Sequence, residues 1–480
     1  MKEGWKMVES KFNKNFFISL FIPVVIGLII WFFPWRPGEV PVEGWQMLAI
    51  FIATIVAIIL KPLPMGAVAL IGITVTILIG PLSTETALDA FAGTSVWLIV
   101  LAFFLSKGII KTGLGHRIAY ILIEKFGKKT IGLVYAMMGV NIAVGPAIPS
   151  STARTGGVML PIVQGLADTY NSKPQDGTRR RIGAFLITCL YHIDTIVATM
   201  FLTAGATKPL AQELAAGFGI EITWMNWFLG ALVPGLLSLI LIPLVLFKIY
   251  PPEIKETPDA PDWAKEKRQE IGPMTFDEKN MTWIFILAIV LWISGQFIDL
   301  SAVTVALLAV SLLLLLKILE WNDITQEKGA WNTLIWFAIL VMMAGQLNEL
   351  GFIPWFSDVI ASAVTGWSWI AIFITLCLAF FYTHYFFASL TAHVTAMYPA
   401  FLGVALASGA PPLYAALMLA YITNICGATT HYASGPAAVL FGEGYVTQNE
   451  WWKICFIMGL IYLFIWLVIG SAWLGIIGFM

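Results

Sequence analysis

The sequence predicts an all-α polytopic membrane protein with about eleven transmembrane helices and two re-entrant helical hairpins, arranged as inverted repeats. Three observations lead to this fold class. Of the 480 residues, 59% are hydrophobic and only 11% are charged, whereas soluble domains carry about 25% charged residues. Uncharged stretches recur with the length of about 20 residues that a helix needs to cross the hydrocarbon core. Short motifs of the first half also return in the second half at a nearly constant separation.

Uncharged stretches place the spanning helices. Most of those without Asp, Glu, Lys or Arg are expected to cross once, and they are residues 16–35, 44–60, 62–84, 90–106, 222–247, 280–298, 301–316, 329–348 and 454–480. Two longer regions are interrupted by Gly and Pro. Residues 130–167 contain one charged side chain, Arg154, and residues 359–442 contain none. Simple counting of spans fails for both regions, which are therefore candidates for broken helices or hairpins.

Positive charges set the orientation, because Lys and Arg in short loops mark the cytoplasmic side. The positions predicted to lie inside are Lys2, Lys6, Lys11, Lys14, Lys61, the cluster from Lys107 to Lys129, and Arg179, Arg180 and Arg181. The loop with Glu85 and Asp89 then lies outside. Both ends of residues 130–167 fall on the cytoplasmic side, which predicts a hairpin that enters from there. The same reasoning predicts a second hairpin that enters from outside, and an external C-terminus.

Four segments follow along the chain. Residues 1–43 are predicted to hold the N-terminal segment and first transmembrane helix, and residues 44–247 a first repeat with its hairpin at about 130–167. Residues 248–280, rich in Lys, Glu, Asp and Pro, are interpreted as a solvated cytoplasmic linker; a tail that binds a partner is the alternative. Residues 281–480 form the second repeat, with a hairpin at about 368–408 that enters from outside.

The repeat rests on matched positions in the same order. The pairs are Ser150 with Ser389 and Trp97 with Trp336, both 239 apart, Gly113 with Gly351, 238 apart, and Gly205 with Gly427, 222 apart. Ordered matches over about 150 residues favour duplication over chance. Five spans in each repeat after one extra helix would invert the second repeat. Inverted repeats with helices broken at matching places are typical of transporters, whose sites lie where the broken elements meet.

The interrupted helices predict an anion site. A helix that restarts presents free N–H groups and about half a positive charge at its N-terminus. Two such tips suit two carboxylates. The predicted substrate-binding residues are Ser150, Ser151, Thr152, Ser389, Leu390 and Thr391 at the tips, and Gly205, Ala206, Thr207, Gly427, Ala428, Thr429 and Thr430 at two further breaks. The alternative is that these Ser and Thr side chains only cap helices or bond back to them.

Four basic residues lie beside the predicted tips and breaks. Arg154 and His393 follow the two tips, and Lys208 and His431 follow the two breaks. A charge at the bilayer centre costs at least about 2.5 kcal/mol, so such residues usually face a cavity or a partner. They are candidates for compensating the charge of a bound anion. The alternative for Arg154 is a structural ion pair with Asp194, which would not exclude that role.

Together these motifs resemble the divalent anion:sodium symporter family, and within it the bacterial citrate/succinate, tartrate/succinate and 2-oxoglutarate/malate exchangers. Two Ser-x-Thr tips, two Gly-Ala-Thr breaks and a charged linker occur in the order found in that family, over nearly the whole chain. The resemblance implies an elevator-type homodimer in the cell membrane, with a fixed scaffold domain and a transport domain that carries the hairpins. It implies no cofactor.

One departure from the family pattern bears on ion coupling. Sodium-coupled members of the family typically have Ser-Asn-Thr at both tips, whereas Ser151 and Leu390 occupy the middle positions here. Leu390 offers no side-chain oxygen to a second sodium ion. We therefore predict obligate exchange, without a sodium requirement, of di- or tricarboxylates such as 2-oxoglutarate, malate, succinate, fumarate, tartrate or citrate. A Na⁺-coupled dicarboxylate symporter of the same family is the alternative.

Other classes of protein fit the sequence poorly. A formal net charge of −1 lacks the basic excess of a nucleic-acid binder. The four cysteines form no CxxC pair, which argues against a disulfide framework or a zinc site of that kind. A membrane-embedded enzyme is disfavoured because HExxH is absent and residues 359–442 hold no carboxylate to act as a base or metal ligand. A channel is disfavoured because hairpins in inverted halves indicate alternating access.

Overall fold

The computed structural model describes residues 14–363 and 366–480. The predicted cytoplasmic residues Lys2, Lys6 and Lys11 lie outside this part of the chain. Within it, the regular secondary structure is helical apart from one isolated bridge between Lys129 and Glu256, and no strand is present. The predicted all-α membrane fold is confirmed.

The first half of the chain contains ten helices, with shorter helical turns left unlabelled. They are α1 (Lys14–Trp31), α2 (Val42–Leu60), α3 (Met65–Leu78), α4 (Thr94–Thr112), α5 (Leu114–Phe126), α6 (Thr130–Val144), α7 (Leu160–Thr169), α8 (Gly183–Met200), α9 (Thr207–Ala216) and α10 (Trp224–Ile249). A helical turn, Ser151–Ala153, and a π-helical segment, Arg154–Met159, lead directly into α7.

The second half begins with a helix of the linker. The helices are α11 (Ala260–Glu270), α12 (Phe276–Ile298), α13 (Ala302–Leu315), α14 (Lys328–Glu349), α15 (Phe352–Ala363), α16 (Trp369–Thr383), α17 (Leu390–Ala407), α18 (Pro412–Ile425), α19 (Gly435–Gly442) and α20 (Gln448–Phe464). A π-helical segment, Ile465–Gly470, and a last turn, Ser471–Ile476, continue α20.

Nine helical stretches of the described residues are long and apolar enough to cross a membrane. Three of these are arms of the predicted hairpins, so length alone does not distinguish a hairpin arm from a span. With the hairpins and the linker helix set aside, α8 with α9 and α18 with α19 each count as one broken span. Nine unbroken helices then remain besides the short α5 and α15. The total of about eleven spans stays a prediction.

One linker segment binds both ends of the first hairpin. The backbone bonds run from Thr130 N to Lys255 O, Thr257 N to Lys128 O, Glu253 N to Arg180 O and Ile254 N to Arg181 O, at 2.9–3.0 Å. The chain therefore enters and leaves this hairpin at the same end of the helix bundle, as a re-entrant hairpin requires.

The linker is more ordered than its composition indicates. Helix α11 packs along α5, with Ala260 and Ala264 fully buried. The Trp263 ring lies edge-on to Tyr120, with centroids 5.8 Å apart. The charges of this segment predict a solvated linker. A single apolar face, too small to stand out among them, is sufficient to dock it.

The two halves share local features at the positions that the repeat predicted. Gly113 ends α4 with a φ of 74°, and Gly351 follows α14 with a φ of 82°. This left-handed backbone turns each long helix into the next and favours glycine. Ser150 and Ser389 each occupy the N-cap position of the helical segment that follows a 3₁₀ turn. The same succession of helix, turn and capped helix thus occurs twice.

Contacts sort the helices into two groups. Helices α1 to α4 pack with one another and with α12 to α14, whereas α6, α8, α10, α17, α18 and α20 pack with one another. The two groups also meet, where α17 contacts α2 and α14 and where α10 contacts α12. The second group includes both broken helices. Such a division is what an elevator mechanism requires, in which one group stays fixed and the other moves.

Candidate functional site

Each hairpin tip lies against a break in a helix. The first tip comprises residues 145–152, and the first break, residues 201–206, separates α8 from α9. Thr203 Oγ1 donates a hydrogen bond to the carbonyl of Pro146 at 2.6 Å. The second tip comprises residues 384–391, and the second break, residues 427–434, separates α18 from α19. His384 Nε2 lies 2.9 Å from the carbonyl of Ala433.

The two halves also meet crosswise. Helix α9, which follows the first break, packs on α17, which follows the second tip; α19, which follows the second break, packs on the turn after the first tip. Reciprocal contacts of this kind are expected of elements related by a two-fold axis. At the second contact, a Cβ atom on Gly435 would lie 2.2 Å from Thr152 Oγ1. Glycine therefore allows the first tip to approach the start of α19.

The serine hydroxyls at both tips cap helices. Ser150 Oγ accepts a hydrogen bond from Ala153 N at 3.2 Å, and Ser389 Oγ accepts one from Ala392 N at 3.3 Å. Each cap orients the free N–H groups of a helix start toward the junction of tip and break. A hydroxyl that accepts in this way keeps its own proton for donation. Capping and binding of an anion are therefore compatible.

The rest of the second tip is partly apolar. The Leu390 side chain lies over Gly427, where its methyl carbons would be 3.7 Å from a Cβ atom. Thr391 is half-buried on the first turn of α17. Leu390 therefore fills space beside the second break, at the tip position where sodium-coupled members of the family have Asn.

Arg154 is fully engaged within the protein. Its guanidinium is completely buried and pairs with Asp194, with Nη2 and Oδ1 2.7 Å apart. Other N–H groups donate to the carbonyls of Ile148 at 2.8 Å and Ala204 at 3.4 Å, and to Ser151 Oγ at 3.2 Å. Nε also donates to Asp194 Oδ1 at 2.9 Å, so all three guanidinium nitrogens are hydrogen-bonded. Arg154 therefore joins the first tip, the first break and α8, and Asp194 neutralises its charge.

Lys208 differs from Arg154 in lacking an acidic partner. Its side chain is buried, and Nζ donates to Asn424 Oδ1 at the end of α18. Among the described residues, no carboxylate oxygen lies within 4.0 Å of Nζ. The Asn424 amide donates to Thr195 O at 2.7 Å and to Thr199 Oγ1 at 2.9 Å. Lys208 is therefore a buried ammonium that forms no direct ion pair with a carboxylate among the described residues.

The two predicted histidines lie in different surroundings. His393 is fully buried, with Nδ1 3.2 Å from His384 Nδ1 and Nε2 3.1 Å from Thr383 Oγ1. His431 is half-buried and accepts a hydrogen bond from Trp452 Nε1 of α20 at 3.0 Å. The structure thus brings His393 to the second tip and break, whereas His431 packs between Trp452 of α20 and Phe441 of α19.

At the second break, freed backbone and hydroxyl groups face the interior. Tyr191 donates its hydroxyl to the carbonyl of Gly427, and Ser434 Oγ caps α19 at 3.3 Å from Ala437 N. Thr429 Oγ1 donates to Cys426 O at 2.9 Å. Thr430 Oγ1 is buried without a hydrogen-bond partner among the described residues. A buried hydroxyl of this kind costs about 1–3 kcal/mol, which is tolerable where a ligand can satisfy it.

Sequence reasoning missed four of these residues: Tyr191, Asn424, His384 and Ser434. His384 and Ser434 lie within the second tip and the second break, and Asn424 lies three residues before that break. Tyr191 lies one helical turn before Asp194 on α8. The Ser434-Gly435-Pro436 sequence, with a cap residue before a proline near the start of a helix, could have indicated the start of α19. No local pattern reveals the partners of Tyr191 and Asn424, which lie on other helices.

This arrangement can hold an anion with two negative groups. Four helix N-termini come together here, those of α9, α17, α19 and the helical segment after the first tip. Buried hydroxyls and the ammonium of Lys208, which has no ion-pair partner, lie beside them. Helix starts and an ammonium in a low-dielectric interior both favour negative charge. No carboxylate other than Asp194 is buried among the described residues at the tips and breaks.

Comparison with known proteins gives consistent matches over nearly the whole chain. Residues 14–480 match the family described as the sodium:sulfate symporter transmembrane region. A Bacillus subtilis (strain 168) protein named "Putative malate transporter YflS" is 52% identical, with 96% of each chain covered. Dicarboxylate transporter 1 of spinach chloroplasts is 45% identical over 96% of this chain and 81% of the relative. The citrate/succinate antiporter of Escherichia coli (strain K12) is 35% identical over 94% and 96%.

Two solved structures share the fold at low sequence identity. The YdaH transporter of Alcanivorax borkumensis superposes with a TM-score of 0.57 at 12% identity, over 82% of this chain and 87% of the other. MtrF of Neisseria gonorrhoeae, described as an antimetabolite efflux pump, gives a TM-score of 0.57 at 13% identity over 95% and 94%. At these identities the likeness concerns the fold alone.

Proposed function

Since the chain belongs to the sodium:sulfate symporter family, and is therefore a multi-pass membrane transporter and not an enzyme, we propose that it exchanges di- or tricarboxylates across the membrane. The names of its relatives support this class of substrate, because they include malate, dicarboxylate and citrate/succinate transporters. Exchange without sodium is the more specific part of the proposal, and it depends on the charges at the site.

The observation that carries the proposal is the buried Lys208. Its ammonium lies between the two breaks, bound to Asn424, with no acidic partner among the described residues. When protonated, Lys208 compensates the charge of a bound anion, the role that bound sodium plays in a symporter. Arg154 contributes less to compensating the charge of the substrate than its position in the sequence indicated, because Asp194 already neutralises it.

Fixed positive charge also explains why exchange is obligatory. An empty carrier would have to move the uncompensated ammonium through a low-dielectric environment, which is unfavourable. In the empty carrier the ammonium adds to the partial positive charges of the helix starts at the tips and breaks. A bound dianion offsets both, so the loaded carrier crosses more readily. Each anion that enters must therefore be replaced by one that leaves, and the rate-limiting empty return is avoided.

We place the substrate between the two tips. One carboxylate binds the N–H groups after Ser150, with Ser151 and Thr152; the other binds those after Ser389, with Thr391. The breaks contribute Gly205, Ala206 and Thr207 on one side and Gly427, Ala428, Thr429 and Thr430 on the other, with Lys208 between them. His393 lies behind the second tip, and Leu390 provides an apolar wall.

Exchange and symport are distinguished by transport into proteoliposomes. Vesicles preloaded with succinate should take up labelled malate at the same rate with sodium or choline as the cation, and unloaded vesicles should take up almost none. Accumulation in unloaded vesicles driven by a sodium gradient would establish the alternative, a Na⁺-coupled symporter. A panel of C4 to C6 acids in the same assay would define the preferred substrate.

The assembly and orientation are also proposals. We place the N-terminus in the cytoplasm and the C-terminus outside, in the plasma membrane, and we expect a homodimer built through the group of α1 to α4 and α12 to α14. The group that contains the hairpins would then move as the transport domain. Two observations support this arrangement: the contacts divide most helices into two groups, and the chain's resemblance to its family implies an elevator mechanism.

A further inference from the structure

Three side chains that can bind a metal ion meet behind the second tip. His384 lies in the 3₁₀ turn that ends α16, His393 on the first turns of α17, and Cys426 at the end of α18. His384 Nδ1 and His393 Nδ1 are 3.2 Å apart, and Cys426 Sγ is 3.9 Å from His393 Nδ1. All three ligand atoms lie within 4.8 Å of one another, and all three residues are buried.

These separations are close to those of a tetrahedral site. Bonds of about 2.0 Å to nitrogen and 2.3 Å to sulfur place two nitrogens about 3.3 Å apart and a nitrogen and a sulfur about 3.6 Å apart. The two imidazoles already have the required separation. The thiol must approach by a few tenths of an ångström toward His393 and by at most about 1 Å toward His384, a movement that rotation of its side chain can provide.

The surrounding hydrogen bonds suit metal ligation. His384 Nε2 faces the Ala433 carbonyl and therefore carries a proton, which leaves the Nδ1 lone pair free. His393 Nε2 faces Thr383 Oγ1, which can accept a hydrogen bond from a protonated Nε2. In that tautomer the lone pair of His393 Nδ1 is free. A histidine that binds a metal through one nitrogen commonly donates its second N–H to a carbonyl or hydroxyl in this way.

The donor set determines the class of ion. Two imidazoles and a thiolate suit Zn²⁺ and related borderline ions, whereas Mg²⁺ and Ca²⁺ need oxygen ligands. Binding removes the thiol proton, so the ion with its thiolate carries a net charge of +1. Three protein ligands leave one tetrahedral position for water or for a carboxylate.

We propose that His384, His393 and Cys426 form an inhibitory Zn²⁺ site that joins the second tip to the end of α18. Because the three ligands belong to both arms of the second hairpin and to the broken helix, a bound ion ties these elements together. Movement of the tip away from the break is then blocked. Since the ligands are buried, the ion enters while the tip is displaced, so inhibition should develop faster during turnover than at rest.

Metal binding is tested on the purified, tag-free protein in nanodiscs. We expect one Zn²⁺ per chain by equilibrium dialysis, and with Co²⁺ the intense near-ultraviolet band of a cobalt–thiolate bond. Cys426→Ser should remove that band and weaken Zn²⁺ binding at least 10-fold, while Cys377→Ser, the matched change at another buried cysteine, should leave both unchanged. His384→Gln, which can still donate to Ala433, should weaken binding to a similar extent.

Absence of stoichiometric Zn²⁺ binding, or equal affinity in wild type and Cys426→Ser, would overturn the proposal. The binding measurements need no transport and remain informative even if the exchange proposal fails. In proteoliposomes, Zn²⁺ should inhibit wild type and Cys377→Ser, and a chelator should restore transport. Inhibition that persists in Cys426→Ser would place the inhibitory site elsewhere.

Discussion

At the scale of single residues, two buried cations differ in what balances their charge. Arg154 has Asp194 within 2.7 Å and backbone carbonyls for its remaining donors, so it stabilises the local structure. Lys208 has only the neutral Asn424 amide. A ligand with negative charge gains more from the second environment than from the first, because only there is the positive charge still available.

Replacing Lys208 tests its role as a counter-charge. Lys208→Gln removes the charge but can still hydrogen-bond to Asn424, so we expect affinity for dianions to fall about 10- to 100-fold, as for loss of a charged hydrogen bond. Net uptake into unloaded vesicles should rise, since the empty carrier no longer moves a charge. Labelled succinate uptake measures both. The control is Lys111→Gln, at an exposed ion pair with Asp323. If Lys208→Gln keeps both its affinity for dianions and its dependence on preloaded anion, Lys208 is not the counter-charge.

The Arg154–Asp194 pair is best examined by stability. Arg154→Met leaves the Asp194 charge buried and unpaired, which should destabilise the protein by about 3–5 kcal/mol. Arg154→Met combined with Asp194→Leu removes both charges and should recover part of that loss. Thermal unfolding of the protein in detergent measures the difference. If the double variant unfolds at no higher temperature than the single one, the unpaired Asp194 charge is not what destabilises Arg154→Met.

At the scale of structural elements, the first tip depends on a glycine of the other half. Gly435 begins α19, and its missing side chain leaves the space that Thr152 Oγ1 occupies. The tips, breaks and caps each occur twice, but this contact is made between the halves. It couples the position of the first hairpin to the second broken helix.

A single methyl group should disturb that contact. Gly435→Ala places a carbon 2.2 Å from Thr152 Oγ1. Overpacking of this kind costs about 1–3 kcal/mol, which corresponds to about 5- to 150-fold in affinity. Substrate affinity measured by counterflow should therefore decrease. Gly442→Ala, at the open end of α19 where no atom lies within 4 Å of the new carbon, should have no effect. Equal affinities for the two variants would show that the first tip tolerates displacement.

Two ion pairs attach the linker region, and their burial predicts different contributions. Arg117 of α5 pairs with Glu278 of α12 at 2.7 Å and is nearly fully buried, whereas the side chains of the Arg268–Glu124 pair are 39% and 30% exposed. Arg117→Ala should destabilise the protein by about 3–5 kcal/mol. Arg268→Ala should cost about 1 kcal/mol or less. Thermal unfolding of both variants gives the comparison, and similar losses would contradict the assignment by burial.

At the scale of the whole molecule, the linker and hairpin contacts show which ends lie together, and their positive charge predicts that this end faces the cytoplasm. Residues 253–257 bind both ends of the first hairpin. All of these residues must therefore lie on one side of the membrane. One crossing, α4, separates the loop with Glu85 from this end, so that loop should lie on the other side of the membrane.

Labelling of introduced cysteines tests this orientation. Glu85→Cys should react with a membrane-impermeant maleimide in intact cells, and Glu266→Cys of α11 should react only after the membrane is opened. Both positions are exposed, and the four native cysteines are buried, so the background should be low. The reverse pattern would invert the proposed topology.

The sequence by itself determined the class of fold and the positions of the tips and breaks. Low charge, long uncharged stretches, and Gly and Pro at matched positions are local properties of the chain. They determine where helices span, start and end without depending on distant contacts. Ser150 and Ser389 could be placed as helix starts for the same reason, and Gly113 and Gly351 as turns. The family resemblance added the class of substrate, which composition cannot specify.

Only the tertiary structure decided which polar groups are already satisfied. Arg154 and Lys208 look equivalent along the chain, yet one meets Asp194 and the other meets Asn424, 216 residues away. His393 meets His384 and Cys426, whereas His431 meets Trp452. Local spacing specifies how a helix begins and ends, but the partner of a buried side chain depends on how distant helices cross. The free charge at the site could therefore be identified only from the packed molecule.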